Sequence, residues 1–357
     1  MSKPAYLVLE NGKVFEGKFF GAERDIIGEL VFTTGMTGYL ETLTDNSYYG
    51  QIVLQTFPLI GNYGVIPQDS ENLTQTIGAG AYIVKSWCEE PSNFRSEGNL
   101  DTFLKSVNVT GLYGIDTREV AKIIRENGVM NAKITCDKDN VDFGEIKNYK
   151  VTNAVENVSC KEIKEFKSKT GKYKTVMFDF GMKESIKQKL LDRGCDVWVV
   201  PYNTTSEKIK DINPDGIVLS DGPGAPAEND GIVCNIKEIL KLNIPTFGIC
   251  FGHQILALAN GFKTEKLKYG HRGASQPVKD LSTGKVYITS QNHGYFVSSD
   301  SIDKNIANIL FENVNDKTCE GLEYKNYPVF SSQFHPDNYD GPHGTGFLFG
   351  RFIESMK

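Results

Sequence analysis

Apolar and polar positions alternate through roughly the first 80 residues, between turns that contain glycine. Runs at residues 6–9 and 29–32 show this alternation, and Asn11-Gly12 is a favoured hairpin turn. A period of two is typical of strands that have one face on a core and one in water. A helix is predicted over residues 116–128, where apolar residues recur at helical spacing between a capping Asp or Thr and a glycine. The pattern predicts a β-rich first domain that includes this helix.

The second half of the chain has a different pattern, in which continuous apolar runs alternate with amphipathic segments. The runs lie at residues 175–179, 196–200, 216–220 and 245–249. Apolar strands separated by helices indicate a mostly parallel sheet flanked by helices on both faces. The predicted fold class is therefore α/β throughout, and ligands of such sheets bind beyond the carboxyl ends of the strands.

A polar, lysine-rich stretch at residues 137–172 lies between the two patterns. Because 357 residues are too many for one ordinary core, two domains are expected. We place a first domain at residues 1–150, a linker of low stability at 151–172 and a second domain at 173–357.

Composition narrows the class of protein. With 39% hydrophobic and 24% charged residues, the chain is typical of globular proteins. Its net charge of -6 argues against nucleic-acid binding, which favours a basic face. No apolar run resembles a signal peptide or a membrane span, so a cytoplasmic protein that does not associate with a membrane is expected. The seven cysteines are odd in number and lack metal-binding spacing, which argues against disulfides and structural zinc.

The sequence Gly248-x-Cys250-x-Gly252 directly follows an apolar strand and leads into a helix. This order forces the middle residue into a tight turn, and the glycines remove side chains that would collide there. A helix N-terminus at the sulfur favours the thiolate, which is the attacking form. Taken alone, a core cysteine between fortuitous glycines is an equally good interpretation.

A nucleophilic cysteine needs a histidine to transfer protons and a carboxylate to orient that histidine. His335-Pro336-Asp337 supplies both at the end of a predicted strand, although this tripeptide is also a common turn. The other four histidines have other expected roles: structural or substrate-positioning for His253 and His293, and surface loops for His271 and His343.

Residues 220–226, Ser-Asp-Gly-Pro-Gly-Ala-Pro, follow another buried strand. The segment is either an ordinary tight loop or part of an oxyanion hole. In the second interpretation, a glycine N–H and the N–H of Phe251 stabilise a tetrahedral intermediate. Its place beside the cysteine turn favours the oxyanion hole.

Together, the cysteine turn at residues 248–254, the Asp-Gly-Pro-Gly loop at 221–224 and His335-Pro-Asp337 resemble the triad-type class I glutamine amidotransferases. Further motifs resemble the small, glutaminase subunit of carbamoyl-phosphate synthetase over essentially the whole chain. These motifs lie at residues 32–39, 43–48, 60–64, 114–118 and 290–294.

The resemblance implies a catalytic triad of Cys250, His335 and Asp337, and a two-domain site for glutamine. It implies that glutamine is bound by Ser47, Gly222, Gly224, Phe251, Gln254, Asn292, Gly294 and Tyr295. It implies no metal or cofactor in this chain, and ATP with magnesium on a large synthetase subunit that receives ammonia. That partner would form a heterodimer or a higher oligomer and make carbamoyl phosphate for pyrimidine or arginine synthesis.

The chain departs from the family at the carboxylate, since Asp337 stands where the family usually has glutamate. Its arm is one methylene shorter, so orienting His335 requires a backbone shift or an intervening water. Activity is expected to survive, because Cys and His do most of the chemistry in such triads. Asp340 is a less favoured substitute for Asp337.

Two other functions remain open from the sequence. A non-catalytic docking or regulatory subunit with a degraded triad would explain Asp337, although the intact Cys250 and His335 argue against it. A self-contained cysteine hydrolase that acts on another amide or peptide would need no large partner.

Overall fold

The computed structural model describes residues 4–72, 78–337 and 344–357. The chain divides into two compact units, Met1–Ala154 and Val155–Lys357. Residues 155–172, which the sequence pattern assigned to a linker, belong to the second unit and contribute a strand to its sheet. This strand is short and lies at the edge of the sheet. Edge strands often carry lysines, which discourage further pairing, so a polar composition did not distinguish it from a linker.

The first unit is built on a closed β-barrel. Its strands follow one another around the barrel in the order β1-β2-β8-β6-β4-β3-β9. The elements are β1 (Pro4–Leu9), β2 (Val14–Gly21), β3 (Ile26–Thr33), α1 (Tyr39–Thr44), β4 (Gln51–Gln55), β5 (Leu59–Ile60), β6 (Ala81–Val84), β7 (Ser86–Trp87), α2 (Leu100–Ser106), β8 (Thr110–Tyr113), α3 (Thr117–Asn127), β9 (Met130–Thr135) and α4 (Phe143–Asn148).

Helix α3 forms where the sequence predicts a helix. The Asp116 carboxylate accepts the N–H groups of Arg118 and Glu119, which satisfies donors that the first turn leaves unpaired. The helix ends before Gly128, whose φ of 97° would strain any other residue. Val120 and Ile124 are fully buried in the barrel core. The capping residues and the buried apolar face therefore both support the predicted helix.

The second unit contains a ten-stranded sheet in the order β10-β12-β11-β13-β14-β19-β18-β16-β15-β17. Its elements are α5 (Ala154–Val158), β10 (Lys164–Phe166), β11 (Tyr173–Asp179), α6 (Glu184–Asp192), β12 (Cys195–Pro201), α7 (Ser206–Ile212), β13 (Gly216–Leu219), α8 (Asp230–Leu240), β14 (Thr246–Ile249), α9 (Phe251–Ala259), β15 (Thr264–Asp280), β16 (Val286–Val297), β17 (Ala307–Asn313), β18 (Cys319–Tyr324), β19 (Val329–Ser332) and α10 (Phe347–Ser355).

The middle of this sheet is parallel, as the apolar runs predict. Strands β12, β11, β13, β14 and β19 pair in parallel. Strand β10 pairs antiparallel with β12 at one end of the sheet. At the other end, β18, β16, β15 and β17 pair antiparallel with one another, and β18 also pairs antiparallel with β19. Because neighbouring parallel strands end at the same edge, the segments that follow Asp179, Leu219, Ile249 and Ser332 meet there. These segments carry the predicted chemistry of this unit.

Replacing Gly252 with alanine tests the packing of α9 on the sheet. A Cβ at Gly252 would lie 2.2 Å from the carbonyl oxygen of Leu219 in β13, so helix and strand must separate. We expect Gly252→Ala to lower the free energy of unfolding by about 3 kcal/mol, which denaturant titration measures. Gly350→Ala in α10 is the control, because a Cβ there meets no atom within 4 Å. Equal stability of both variants would contradict this account.

Candidate active site

Cys250 lies between the last residue of β14, Ile249, and the first residue of α9, Phe251. Its φ of 52° and ψ of -103° place a non-glycine residue in a rarely populated region. This is the strand-turn-helix geometry that presents a nucleophile at the edge of an α/β sheet. The elbow predicted from the sequence is therefore present.

The two flanking glycines are required by close packing. A Cβ at Gly248 would lie 2.5 Å from Leu256 Cδ1 and 2.9 Å from the carbonyl oxygen of Gly252. The N–H of Cys250 donates to the carbonyl of Ser332 (2.8 Å), and the N–H of Gly252 donates to the carbonyl of Ser220 (3.0 Å). The turn is thus fixed to neighbouring strands on both sides.

The sulfur of Cys250 is buried, and the residue is only 2% exposed. Its Sγ lies 3.7 Å from the carbonyl oxygen of Asn292, to which a thiol can donate. The side-chain Nε2 of Gln333 lies 3.6 Å from the same sulfur and donates to it. The start of α9 adds the positive end of a helix dipole, which favours a thiolate.

His335 follows β19 and is held by its backbone, since its N–H donates to the carbonyl of Ser290 (3.0 Å). Its Nδ1 lies 3.6 Å from Asp337 Oδ1, an ion-pair distance longer than a hydrogen bond. Asp337 Oδ2 accepts a hydrogen bond from the hydroxyl of Ser185 at 2.9 Å. The structure thus brings the predicted histidine and carboxylate together, with a serine that the sequence analysis did not identify.

Burial and Lys183 oppose a charge on His335, but Asp337 and the Cys250 sulfur outweigh them and raise the pKa of the imidazole well above its ordinary value. Burial also opposes ionisation of Asp337, yet His335, Lys183 and Ser185 hold the pKa of this carboxyl well below its usual range. The electrostatics therefore favour an imidazolium beside the sulfur, with an ionised carboxylate behind it.

The shorter arm of Asp337 has a visible consequence. Asp337 Oδ1 and both ring nitrogens of His335 are buried without a hydrogen-bond partner among the described residues. A separation of 3.6 Å leaves the pair short of direct contact, as expected for a carboxylate one methylene shorter than glutamate. Asp340, the less favoured substitute, lies outside the described residues.

The loop after β13 is packed tightly against the loop after β11. A Cβ at Gly222 would lie 2.5 Å from the carbonyl oxygen of Phe180, and Gly224 has a φ of 85°. The N–H of Phe180 donates to Ser220 Oγ (3.1 Å), and the Ser220 hydroxyl donates to the carbonyl of Asp221 (2.8 Å). Both predicted glycines therefore occupy positions that a larger residue would disturb.

Five other residues of the predicted glutamine site lie on β16 or α9 near the cysteine. Gln254 Nε2 donates to the carbonyl of Tyr295 (2.7 Å), and the carbonyl of Asn292 faces Sγ. Gly294 lies between Asn292 and Tyr295 on β16. The ring of Phe251 is 1% exposed and packs on Phe180 with centroids 5.6 Å apart. Phe251 can therefore serve a ligand through its backbone and not through its ring.

Ser47 belongs to the first unit and is described there by itself. It lies in a single 3₁₀ turn, Asn46–Tyr48, and is 9% exposed. Its N–H donates to Asp45 Oδ1 at 2.8 Å. The turn is therefore well fixed within its own unit.

The remaining described histidines are buried. His253 Nδ1 contacts Ser331 Oγ at 2.8 Å, and burial lowers its pKa to about 3. Burial, followed by the neighbouring His271, lowers the pKa of His293 well below its ordinary value. Both are neutral residues within the fold. His343 lies outside the described residues.

The prediction that His271 is a surface residue is wrong. It is 8% exposed, and its Nε2 lies 2.8 Å from Asp316 Oδ2 while its Nδ1 lies 3.4 Å from Glu320 Oε1. Burial opposes its charge, but Asp316 and Glu320 raise its pKa to about 9. Adjacent glycine and polar residues suggested a loop, whereas residues 264–280 form the long strand β15.

His271, His293 and Glu320 offer ligand atoms within 4.8 Å of one another, the geometry of a metal site. These atoms already have partners, however. Gln291 Oε1 contacts His271 Nδ1 at 3.1 Å and His293 Nε2 at 2.9 Å, and Gln291 Nε2 donates to Glu320 at 3.0 Å. We therefore assign this cluster a structural role.

Each of the two units matches a known protein family. Residues 7–134 match the family model "Carbamoyl-phosphate synthase small chain, CPSase domain", and residues 176–355 match "Glutamine amidotransferase class-I". The carbamoyl phosphate synthase small chain of Fusobacterium nucleatum is 46% identical over 352 residues, which cover 98% of this chain and 97% of that protein. The chain belongs to the carbamoyl-phosphate synthase small chain family.

Other members of the small chain family are similarly related. The pyrimidine-specific small chain of Bacillus subtilis is 47% identical over 353 residues, with 98% of this chain and 95% of that one covered. The small chain of Lactococcus lactis is 44% identical over 352 residues, with 98% and 97% covered. Family membership agrees with the resemblance drawn from the motifs and with a glutamine-hydrolysing enzyme. No helix in the described part of this chain has the length and apolar character needed to cross a membrane.

The ion pair of His271 predicts how stability depends on pH. Its pKa of about 9 in the folded state exceeds the ordinary histidine value of 6.5, so its contribution is complete below pH 6.5 and is lost as pH rises through 9. We expect the free energy of unfolding to fall by about 2 kcal/mol over this interval, because Asp316 is partly exposed and its interaction is screened.

Denaturant titrations at both ends of the interval measure this loss, and Asp316→Asn is the matched variant. Other groups titrate over the same range, so the informative quantity is the difference between the two proteins. A smaller pH dependence in Asp316→Asn is expected. An identical dependence would show that this pair does not contribute.

Proposed function

We propose that this chain is the glutaminase subunit of a carbamoyl-phosphate synthase, in which Cys250 attacks glutamine and the released ammonia passes to a large synthetase subunit. The observation that carries the proposal is the pairing of two features at one edge of the sheet. Cys250 lies in a strained elbow with φ 52°, and a buried His335 with a raised pKa lies beside it. This arrangement is suited to nucleophilic acyl transfer.

The first half-reaction uses the negative charge of the Cys250 thiolate and the proton of the His335 imidazolium. The Cys250 thiolate attacks the side-chain amide carbon of glutamine and forms a tetrahedral intermediate. When this intermediate collapses, the carbon–nitrogen bond breaks, and His335 donates its proton to the departing nitrogen. Ammonia leaves and a glutamyl thioester remains. A raised pKa of His335 keeps this proton in place until the leaving group needs it.

The second half-reaction returns the enzyme to its starting state. His335, now neutral, removes a proton from water as the water attacks the thioester carbon. Collapse of the second intermediate breaks the carbon–sulfur bond and releases glutamate, and the thiolate and imidazolium are restored. Asp337 stabilises the imidazolium through its charge, with its own position set by Ser185.

We assign the oxyanion hole to the backbone N–H groups of Phe251 and Gly222. The first lies at the start of α9, where helical N–H groups have no acceptor within the helix. The second belongs to the loop that packs on Phe180 without room for a side chain. Each donor of this kind lowers the barrier by roughly 3 kcal/mol.

Glutamine binding is assigned to the residues that the resemblance names, with one refinement for Gln254. Its Nε2 donates to the carbonyl of Tyr295 and to Gln333 Oε1, which uses both hydrogens of the amide. What Gln254 can offer a substrate is its carbonyl oxygen. A carbonyl oxygen suits the α-ammonium group of glutamine. Asn292, Gly294 and Gly224 complete the proposed set within the second unit.

Free ammonia in neutral water becomes protonated and is no longer a nucleophile, so direct transfer to an acceptor is needed. The relatives are named small chains, which supports a large partner chain for this protein as well. The sequence has no Walker phosphate-binding loop. We therefore place ATP, magnesium and bicarbonate chemistry on that partner, with a cytoplasmic heterodimer as the minimal assembly.

Replacing the nucleophile separates this function from a docking role. Cys250→Ser is expected to lower glutamine-dependent glutamate release at least about 1,000-fold, because it removes the thiolate that attacks glutamine and forms the thioester. The purified complex should keep its ammonia-dependent synthesis of carbamoyl phosphate, which bypasses Cys250 and serves as the control. Equal glutamate release from wild type and Cys250→Ser would exclude the mechanism.

Removal of the carboxylate charge tests the role of Asp337. Asp337→Asn should lower kcat for glutamine by about 10- to 100-fold while His335→Asn removes nearly all activity, because Cys and His form and break the bonds. The alkaline limb of the rate profile should move to lower pH in Asp337→Asn, since His335 must be protonated to act and its raised pKa depends on this charge. Steady-state kinetics over a pH series measures both effects. An unchanged profile would assign Asp337 no role.

A further inference from the structure

Gln333 contacts the Cys250 sulfur and has no role in the mechanism so far. It follows the last residue of β19, Ser332, and is fully buried. Its backbone N–H donates to the carbonyl of Glu320 in β18 at 2.8 Å, which fixes the main chain. Its side chain reaches Cys250, with Nε2 at 3.6 Å from Sγ.

The orientation of the Gln333 amide follows from its neighbours. Gln254 contacts the carbonyl oxygen of Tyr295 at 2.7 Å, and a carbonyl can only accept, so the atom of Gln254 at this contact is its NH₂ group. The same NH₂ group contacts Gln333 at 2.9 Å, so the atom of Gln333 on that side is its oxygen. The NH₂ group of Gln333 must then face the sulfur. The Tyr295 carbonyl thus determines the orientation of two side-chain amides in turn, first that of Gln254 and then that of Gln333, and we call this pair the relay.

Two groups with opposite preferences meet at Sγ. The carbonyl of Asn292 at 3.7 Å accepts from a thiol but repels a thiolate. The Gln333 N–H at 3.6 Å bonds weakly to a neutral thiol and strongly to a thiolate, because hydrogen bonds to charged groups are stronger. If the Gln333 donor were removed, the acceptor that favours the thiol would remain. The Gln333 N–H and the Asn292 carbonyl therefore favour opposite forms of the sulfur.

We propose that Gln333 is a further catalytic residue, whose side-chain N–H, fixed by Gln254 and the Tyr295 carbonyl, stabilises the Cys250 thiolate and directs it toward the substrate. This inference rests on the proposed function of Cys250 as a nucleophile. The alternative is that Gln333 is only a buried polar residue with satisfied hydrogen bonds. The two differ in whether loss of the donor changes the reactivity of the sulfur without substrate.

The test measures alkylation of Cys250 by iodoacetamide as a function of pH, with the Cys250 peptide quantified by mass spectrometry. This readout reports thiolate directly, needs no glutamine and distinguishes Cys250 from the exposed Cys136 and Cys234. Proteins are compared as full chains in complex with the co-purifying partner. Glutamate release is measured on the same samples.

Gln333→Met keeps the length of the side chain and removes the donor. We expect the pH of half-maximal alkylation to rise by about one unit, and kcat for glutamine to fall about 10- to 100-fold. Gln254→Glu replaces the NH₂ group that fixes the relay with oxygen. The Gln333 NH₂ group should then turn toward residue 254 and present its oxygen to the sulfur, so a shift at least as large is expected.

Ser332→Ala is the matched control. Ser332 is fully buried on the same strand, and its hydroxyl donates to the carbonyl of Phe334 at 3.1 Å and not to the sulfur. It should lose a comparable buried hydrogen bond and keep the wild-type alkylation profile. A shift in Ser332→Ala as large as in Gln333→Met would overturn the proposal, since the effect would then come from packing.

A wild-type profile in folded Gln333→Met would also overturn it. If Gln333→Met does not fold, Gln333→Leu decides by the same criterion, because it also removes the donor and adds no charge. The proposed function has a separate criterion: wild-type protein that releases no glutamate from glutamine would refute that function, while the alkylation profiles would still decide whether Gln333 controls the sulfur.

Discussion

The positive φ of Cys250 is the constraint on which the rest of the site depends. A non-glycine residue at φ 52° costs of order 1–3 kcal/mol, so the surroundings must hold it there. They do so by close packing: α9 lies so near β13 and β14 that neither Gly248 nor Gly252 can carry a Cβ. Hydrogen bonds from the elbow to Ser332 and Ser220 fix it further. Strain at one residue is thus offset by contacts of an entire helix and sheet.

Burial of the triad determines which of its groups can be charged. Inside the protein an unpaired charge is expensive, so an imidazolium at His335 persists only because Asp337 and the Cys250 sulfur lie close to it. The aspartate reaches His335 only to 3.6 Å, and its other oxygen is held by Ser185. The charge interaction survives this gap, because Coulomb energy falls slowly with distance whereas a hydrogen bond does not. A shortened carboxylate is therefore compatible with an active triad.

How much of this the sequence could predict depends on whether the signal is local. The elbow at Cys250 and the helix that begins after Asp116 were predicted correctly, because short spacings of glycine, capping and apolar residues specify them. Strand β10 was assigned to a linker, since edge lysines and loop lysines look alike in sequence. Ser185 and Gln333 were missed. Each acts through a residue more than 80 positions away along the chain, and an isolated serine or glutamine carries no pattern.

The contact around Gln333 also explains why an amide suits this position better than a charged group. A lysine or arginine there would stabilise the thiolate, but it would add a fixed positive charge beside His335 and disfavour the imidazolium that the leaving group needs. A hydroxyl can rotate and accept as readily as donate. An amide whose orientation is determined by the Tyr295 carbonyl through Gln254 supplies a donor in one direction without net charge. The sulfur and the imidazole can then both be charged, each favoured by a separate group.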